Sequence, residues 1–334
     1  MTVRIAINGL GRIGRCILRA VTELDRNDVK IVAVNGPADT DTHVHLLKYD
    51  SIHGTFPQVK KTGADEIDMG KGAFPVFHER DPNKLPWGDF DVDVVLECTG
   101  RFRNKEESLP HLNAGAKKVI ISAPADSVDA TVVYGVNNHV VKKDHTVISI
   151  GSCTTNCLAP VAKVLNDTIG IESGFMTTIH AYTNDQNIMD GSHKDLRRAR
   201  SAGLSMIPTS TGAAKALGLV LPELAGKLDG TSVRVPTPNV SLVDLCFNAT
   251  RATSKEEIHK VITEAANGSM KGVLGTCAEK LVSIDFNHNS CSSVFDLTQT
   301  HVVNGSLCRV ASWYDNEWGF SCRMLDAAVL FANL

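Results

Sequence analysis

The 334-residue sequence lacks a strong charge of either sign: 34 basic side chains stand against 37 acidic ones, for a net charge of −3 and a pI near 6.5. Without a global basic field, neither nucleic acid nor an anionic membrane is expected as a partner. No apolar run approaches the roughly 18 residues of a membrane span. Arg4, Arg12 and Arg15 surround a short apolar core near the N-terminus. That core is too brief and interrupted for a secretory leader, so none is expected. The nine cysteines are odd in number and scattered. A disulfide framework is therefore excluded, and a reducing, cytoplasmic setting is expected. Internal repeats, low-complexity tracts and an obvious linker are also missing. With 43% apolar and 21% charged residues the chain is an ordinary globular one, and its length suggests two domains.

What is present begins with a short apolar run at residues 3–8, which predicts a buried strand. Residues 11–24 have helical spacing, and residues 30–35 predict a second strand. Strand, helix and strand in so short a stretch make a βαβ unit, hence a parallel sheet. Residues 94–99, 119–122 and 146–150 predict further strands, with a helix candidate over 104–114 and small antiparallel strands within 59–77. The texture changes after Gly151. Residues 153–168 predict a helix, and longer alternating strands follow at 174–182, 232–236, 241–250 and 308–314. Thr253 with Glu256, or Ser254 with Glu257, fits a capping box that starts a helix near Lys255, and residues 317–334 predict a final helix. The expected architecture is α/β: a Rossmann-type doubly wound parallel sheet over residues 1–151, joined by the helix 317–334, and an α+β domain with a mixed or antiparallel sheet over 152–316.

Gly9, Gly11 and Gly14 form G-x-G-x-x-G between the first strand and first helix. The first glycine permits a tight turn, the second a close approach to a pyrophosphate, and the third close helix–strand packing. The same fingerprint asks for an acidic residue at the end of the second strand, to bond the ribose 2′-hydroxyl. Asn35-Gly36 stands there instead. Asp39 and Asp41 reach that place only if the loop folds back. The absent carboxylate removes the usual repulsion of a 2′-phosphate.

Cys153 stands where a strand ends and a helix begins, a position that favours a thiolate. His180 ends an apolar strand further on and is the candidate base. Cys157 lies one turn after Cys153, as a packed cysteine or a resolving thiol. No further ligands at suitable spacing accompany the pair, so no metal site is expected.

Residues 7–15 (INGLGRIGR), 152–157 (SCTTNC), His180 and residues 313–319 (WYDNEWG) resemble the phosphorylating glyceraldehyde-3-phosphate dehydrogenases, and the likeness runs essentially end to end. The resemblance implies that Cys153 attacks the aldehyde to form a hemithioacetal and that His180 takes the proton. Hydride then goes to a nicotinamide cofactor, and inorganic phosphate releases the thioester as 1,3-bisphosphoglycerate. It implies that Thr183, Arg198 and Arg234 hold the substrate phosphate, and that Ser152, Thr154, Thr211 and Gly212 hold inorganic phosphate with Arg198 nearby. The implied cofactor residues are Gly9, Gly11, Arg12, Ile13, Gly14, Asn35, Gly36, Arg80, Thr99, Gly100, Ser122, Ser192 and Asn316. Residues 184–203 look like the family's S-shaped loop, which reaches a neighbouring subunit's cofactor in what is usually a homotetramer.

The chain departs from the family's NAD-specific members in two places. They carry Asp where this chain has Gly36, and commonly Leu-Pro where it has Gly191-Ser192. NADP-using photosynthetic relatives resemble it in the serine. One change removes repulsion and the other adds a donor for a 2′-phosphate, so NADP(H) is expected to be preferred over, or shared with, NAD(H). The alternatives are an erythrose-4-phosphate dehydrogenase and, from other classes, a cysteine hydrolase or a non-catalytic binding protein on the same fold. Residues 181–183 and 208–215 keep the glyceraldehyde-phosphate pattern.

Overall fold

The computed structural model describes residues 2–334. The chain divides into two compact units. The first comprises residues 2–134, 138–152 and 320–334, and the second comprises 135–137 and 153–319.

The first unit is built on strands β1 (Val3–Asn8), β2 (Val29–Asn35), β3 (Lys60–Gly63), β4 (Glu66–Asp68), β5 (Ala73–Phe77), β6 (Val94–Glu97), β7 (Lys118–Ile121), β8 (Ala130–Thr131) and β9 (Val147–Ser149). They form one sheet in the order β3-β4-β5-β2-β1-β6-β7-β9-β8. Pairing is parallel from β5 across to β8 and antiparallel only at the β3-β4-β5 edge. Strand β1 is central and apolar because both its faces are covered; Ile5, Ala6 and Ile7 are fully buried. Each such isoleucine contributes about 1.5–3 kcal/mol by leaving water. Helix α1 (Arg12–Glu23) follows and buries Ile17, Leu18, Ala20 and Val21. Helix α2 (Thr40–Lys48), where the sequence showed only a loop, is capped by the Asp39 carboxylate, which accepts from the Thr42 N–H at 2.7 Å. Helix α3 (Lys105–Asn113) is capped by Asn104 in the same manner.

The second unit opens with α4 (Cys153–Thr168). Strands β10 (Ile171–Ala181), β11 (Ile207–Ser210), β12 (Leu228–Val235), β13 (Ser241–Ala249), β14 (Leu274–Cys277), β15 (Ser293–Asp296), β16 (His301–Val303) and β17 (Leu307–Tyr314) follow. Their order is β11-β12-β10-β13-β17-β15-β14, with β16 paired to β17. The sheet is mixed: β10 runs parallel to β12 and antiparallel to β13. Helix α4 lies against α5 (Ala213–Val220), α6 (Lys255–Asn267) and strands β15 and β17. Of the two capping pairs, Ser254 with Glu257 starts α6. Helix α7 (Trp318–Ala332) belongs to the first unit from Phe320 onward, where Asp326 pairs with Arg26 and the Phe331 carbonyl accepts from Lys118.

Candidate active site and nucleotide pocket

In the second unit, Cys153 is the first residue of α4 and His180 sits near the end of β10. Cys153 Sγ lies 3.5 Å from His180 Nε2. At the other ring nitrogen, His180 Nδ1 is 2.6 Å from the Ala181 carbonyl, which accepts only. Nδ1 therefore carries the proton, and Nε2 faces the thiol as an acceptor. Arg234 Nη1 is 2.9 Å from Nδ1 and 3.1 Å from the same carbonyl. With Nδ1 protonated, both groups donate to Ala181, and the guanidinium stands as a cation beside the ring.

Burial pushes His180 down to about 3, and the Arg234 charge adds to the fall. Burial also pushes the Cys153 thiol up, while Arg234 and the Thr154 backbone N–H pull the other way. Both directions favour neutral thiol and neutral imidazole, poised for proton transfer. Arg234 Nε is buried and makes no hydrogen bond. A cation so placed is costly until an anion meets it.

Beneath the pair lies Tyr314, on β17. Its hydroxyl is bonded to Thr154 Oγ1 at 2.9 Å and Thr178 Oγ1 at 2.8 Å, and its ring meets His180 edge-on. Tyr314 was part of a sequence motif but carried no expected role; only strand pairing brings it under the histidine. Arg198 is held by Asp185 at 2.6 Å and Thr209 at 2.9 Å. Thr183 receives the Asp185 N–H at 3.4 Å. Thr211 Oγ1 accepts from the Ala213 N–H at the start of α5, and exposed Gly212 is the cap residue there. Ser152, half-buried, precedes α4. Asn316 is buried, its Oδ1 accepting from Ser241. Ser192 stands exposed in the irregular stretch between β10 and β11.

In the first unit, a cavity of about 400 Å³ opens at the carboxyl ends of β1, β2 and β6. Its lining includes Gly9, Gly11, Asn35, Gly36, Arg80 and Thr99, together with His43, Glu79, Arg101 and Phe102, which the sequence did not single out. A buried network ties the three strand ends together. Asn8 donates to Glu97 at 2.6 Å, Asn35 donates to Asn8 at 2.7 Å, and the Thr99 N–H and hydroxyl both reach Glu97. His111 accepts from Trp87 at Nδ1, so its Nε2 donates to Glu97 at 3.1 Å. Such strand ends are where open α/β sheets bind ligands.

The three glycines of the loop are demanded by different things. Gly9 has φ of +105°, and a Cβ there would lie 2.7 Å from Cys98 backbone. A Cβ on Gly14 would lie 2.1 Å from the Gly9 carbonyl oxygen. A Cβ on Gly11 would meet nothing within 4 Å. Nothing in the protein requires that glycine, and as cap residue of α1 it offers no side chain to the first-turn N–H groups. The loop thus fits a pyrophosphate, whose approach the missing Cβ admits. Arg12 does not point its charge freely at that loop, because Asp50 holds it in a two-bond fork at 2.6 and 3.0 Å. Ile13 is half-buried in the first turn of α1, and Ser122 follows β7. Gly100 takes a positive φ of 69° just after Thr99. Neither Asp39 nor Asp41 replaces the missing ribose carboxylate: Asp39 caps α2, and Asp41 pairs with Lys61 on its exposed side.

Comparison with known proteins identifies the family. Residues 3–105 match the glyceraldehyde 3-phosphate dehydrogenase NAD binding domain, and residues 152–316 match the C-terminal domain of the same enzymes. The chain belongs to the glyceraldehyde-3-phosphate dehydrogenase family. It is 60% identical to the glyceraldehyde-3-phosphate dehydrogenase of Xanthobacter flavus and 58% identical to that of Cereibacter sphaeroides, in each case over the whole of both chains. Identity to the Pseudomonas aeruginosa enzyme is 54% over 99% of each. As a member of this family the chain is an oxidoreductase that uses a nicotinamide cofactor. Among the described residues no helix is long and apolar enough to cross a membrane.

Proposed function

We propose that this chain catalyses the reversible, phosphorylating oxidation of glyceraldehyde 3-phosphate to 1,3-bisphosphoglycerate, with NADP(H) preferred over or shared with NAD(H). The observation that carries the reading is the 3.5 Å approach of Cys153 Sγ to His180 Nε2, with Nδ1 turned to the Ala181 carbonyl.

Cys153 Sγ attacks the aldehyde carbon, and its proton passes to Nε2. The carbonyl oxygen then takes a proton, giving the hemithioacetal. His180 next removes that proton as the carbon is oxidised, which leaves a thioester on Cys153. The nicotinamide, when bound, supplies the hydride acceptor. A phosphate oxygen attacks the thioester carbon, the Cys153–carbon bond breaks, and the leaving thiolate recovers its proton from His180. Arg234, with its buried unpartnered Nε beside the pair, is the anchor for substrate phosphate, with Thr183 and Arg198. Ser152, Thr154, Thr211 and Gly212 receive the inorganic phosphate.

The first unit holds the cofactor through Gly9, Gly11, Arg12, Ile13, Gly14, Asn35, Gly36, Arg80, Thr99, Gly100 and Ser122, and the family resemblance adds Ser192 and Asn316 to the cofactor residues. The NADP reading is supported by a pocket with Arg80 and Arg101 on its lining and no carboxylate at position 36. Arg80 makes no ion pair with any described residue. Self-association into a homotetramer is supported by the stretch 188–206, where Ile188, Met189, Leu196, Leu204 and Met206 stand exposed.

The test is kcat/KM for NADP⁺ and NAD⁺ with glyceraldehyde 3-phosphate and saturating phosphate, with Cys153→Ser as the blank. Activity lost in that variant supports the reaction, and a higher value with NADP⁺ supports the cofactor choice. A higher value with erythrose 4-phosphate, or thioester hydrolysis without nicotinamide, overturns the substrate or the class. Light scattering in solution tests the tetramer.

A further inference from the structure

The end of β2 is where a Rossmann-type sheet meets the adenosine ribose, through a side chain at the position that is Gly36 here. That side-chain space is filled by another residue. A Cβ added to Gly36 would lie 2.7 Å from Nε2 and 2.8 Å from Cε1 of His43, in the first turn of α2, and 3.3 Å from the Cβ of Leu10.

The backbone side of this contact is fixed. The Gly36 N–H donates to the Phe77 carbonyl at 2.9 Å, and its own carbonyl accepts from His78 Nδ1 at 3.0 Å. His78 is in turn held at Nε2 by Asp65 at 3.2 Å. The His43 imidazole is 4% exposed, lies parallel to the His78 ring and lines the nucleotide cavity. Both of its ring nitrogens are buried beside the Gly36 backbone.

We propose that His43 is a specificity-determining residue of the nucleotide pocket: its imidazole fills the side-chain space of position 36 and keeps a ribose-binding carboxylate from being seated there. The proposal rests on nicotinamide cofactor binding by the first unit. It does not rest on which cofactor is preferred. An imidazole is compatible with either ribose substituent. Burial and the nearby charges of His78 and Arg15 favour its neutral form, which repels neither substituent, whereas a carboxylate repels the phosphate.

The experiment is a double-mutant cycle on the full chain, with NAD⁺ and NADP⁺ dissociation constants read by protein fluorescence. Gly36→Asp alone is expected to weaken both cofactors about tenfold or more, because its side chain and the imidazole claim one space. Adding His43→Leu is expected to restore NAD⁺ affinity to within about threefold of the wild type, while NADP⁺ remains about a hundredfold weaker. The proposal is overturned if Gly36→Asp alone binds NAD⁺ as tightly as the wild type, or if the two substitutions act independently. If Gly36→Asp does not fold, Gly36→Ala poses the same steric question in both backgrounds, with thermal midpoints measured alongside. A wild type that favours NAD⁺ overturns the NADP reading alone, and the coupling between positions 36 and 43 still decides this one.

Discussion

His180 and Arg234 stand opposite each other in register on the parallel strands β10 and β12, with the guanidinium 2.9 Å from the protonated ring nitrogen. The cation therefore lies behind the base, on the side away from the thiol. Its field holds His180 down and also draws the Cys153 thiol down against burial. Arg234→Leu should release both effects. The pH profile of Cys153 alkylation is expected to move to higher pH, and the acid limb set by His180 is expected to move up as well. KM for the phosphorylated aldehyde should rise about tenfold or more, since a charge-assisted hydrogen bond is lost. An alkylation profile that does not move would remove Arg234 from the electrostatics of the pair.

Tyr314 supports the same pair from below. Its hydroxyl joins Thr154, one residue after the nucleophile, to Thr178, two residues before the base. Tyr314→Phe keeps the ring against His180 but leaves two buried threonine hydroxyls without this partner. The expected cost is about 1–3 kcal/mol of stability. Since the residue positions the pair without touching substrate, kcat should fall about tenfold with KM little changed. A change confined to the thermal midpoint, with kcat intact, would make Tyr314 a structural residue only.

The parallel sheet, α1, α4 and the glycine loop were legible because each rests on a local pattern: an apolar run, a helical stripe, a fixed spacing. The Cys153–His180 pair was legible as two chemically suited residues, and their meeting needed only that one begin a helix and the other end a strand. Helix α2 was hidden because its first turn is polar and few of its apolar residues face inward; the Asp39–Thr42 cap was its one local signal. Strand β11 was hidden by Pro208, which a sheet tolerates because β11 lies at the edge. The roles of Tyr314 and His43 have no local signature at all. Each depends on which element the fold lays beside it.

Asp50 gives the first unit an acid-sensitive contact. Burial works against its charge, yet the Arg12 fork and the His53 and Ile52 N–H groups outweigh it and hold the carboxyl down to about 2. The value in an unfolded chain is about 3.9. The folded value is the lower one, so the stabilisation is fully present above about pH 4 and is lost as pH falls through about 2. Asp50→Asn is expected to cost about 1–2 kcal/mol at neutral pH and to flatten the urea-midpoint profile across that window. An unchanged acid profile in the variant would assign the loss to other carboxylates.

The glycine loop separates a residue required by the fold from one left for the ligand. At Gly14 an added Cβ would collide with backbone, the Gly9 oxygen at 2.1 Å, and backbone at the end of a central strand does not move cheaply. Gly14→Ala is therefore expected to destabilise the protein by about 2–3 kcal/mol or more, lowering the thermal midpoint by about 5–10 °C. At Gly11 the same methyl group meets nothing, and φ of −73° suits any residue. Gly11→Ala should leave the midpoint within about 2–3 °C, since replacing the cap glycine costs well under a few kcal/mol. Its cofactor affinity, by contrast, should fall about tenfold or more, because the methyl projects where the pyrophosphate approaches the first turn of α1. If Gly11→Ala binds both cofactors as the wild type does, the open space above that residue is not the phosphate site, and the diphosphate must lie elsewhere along the cavity.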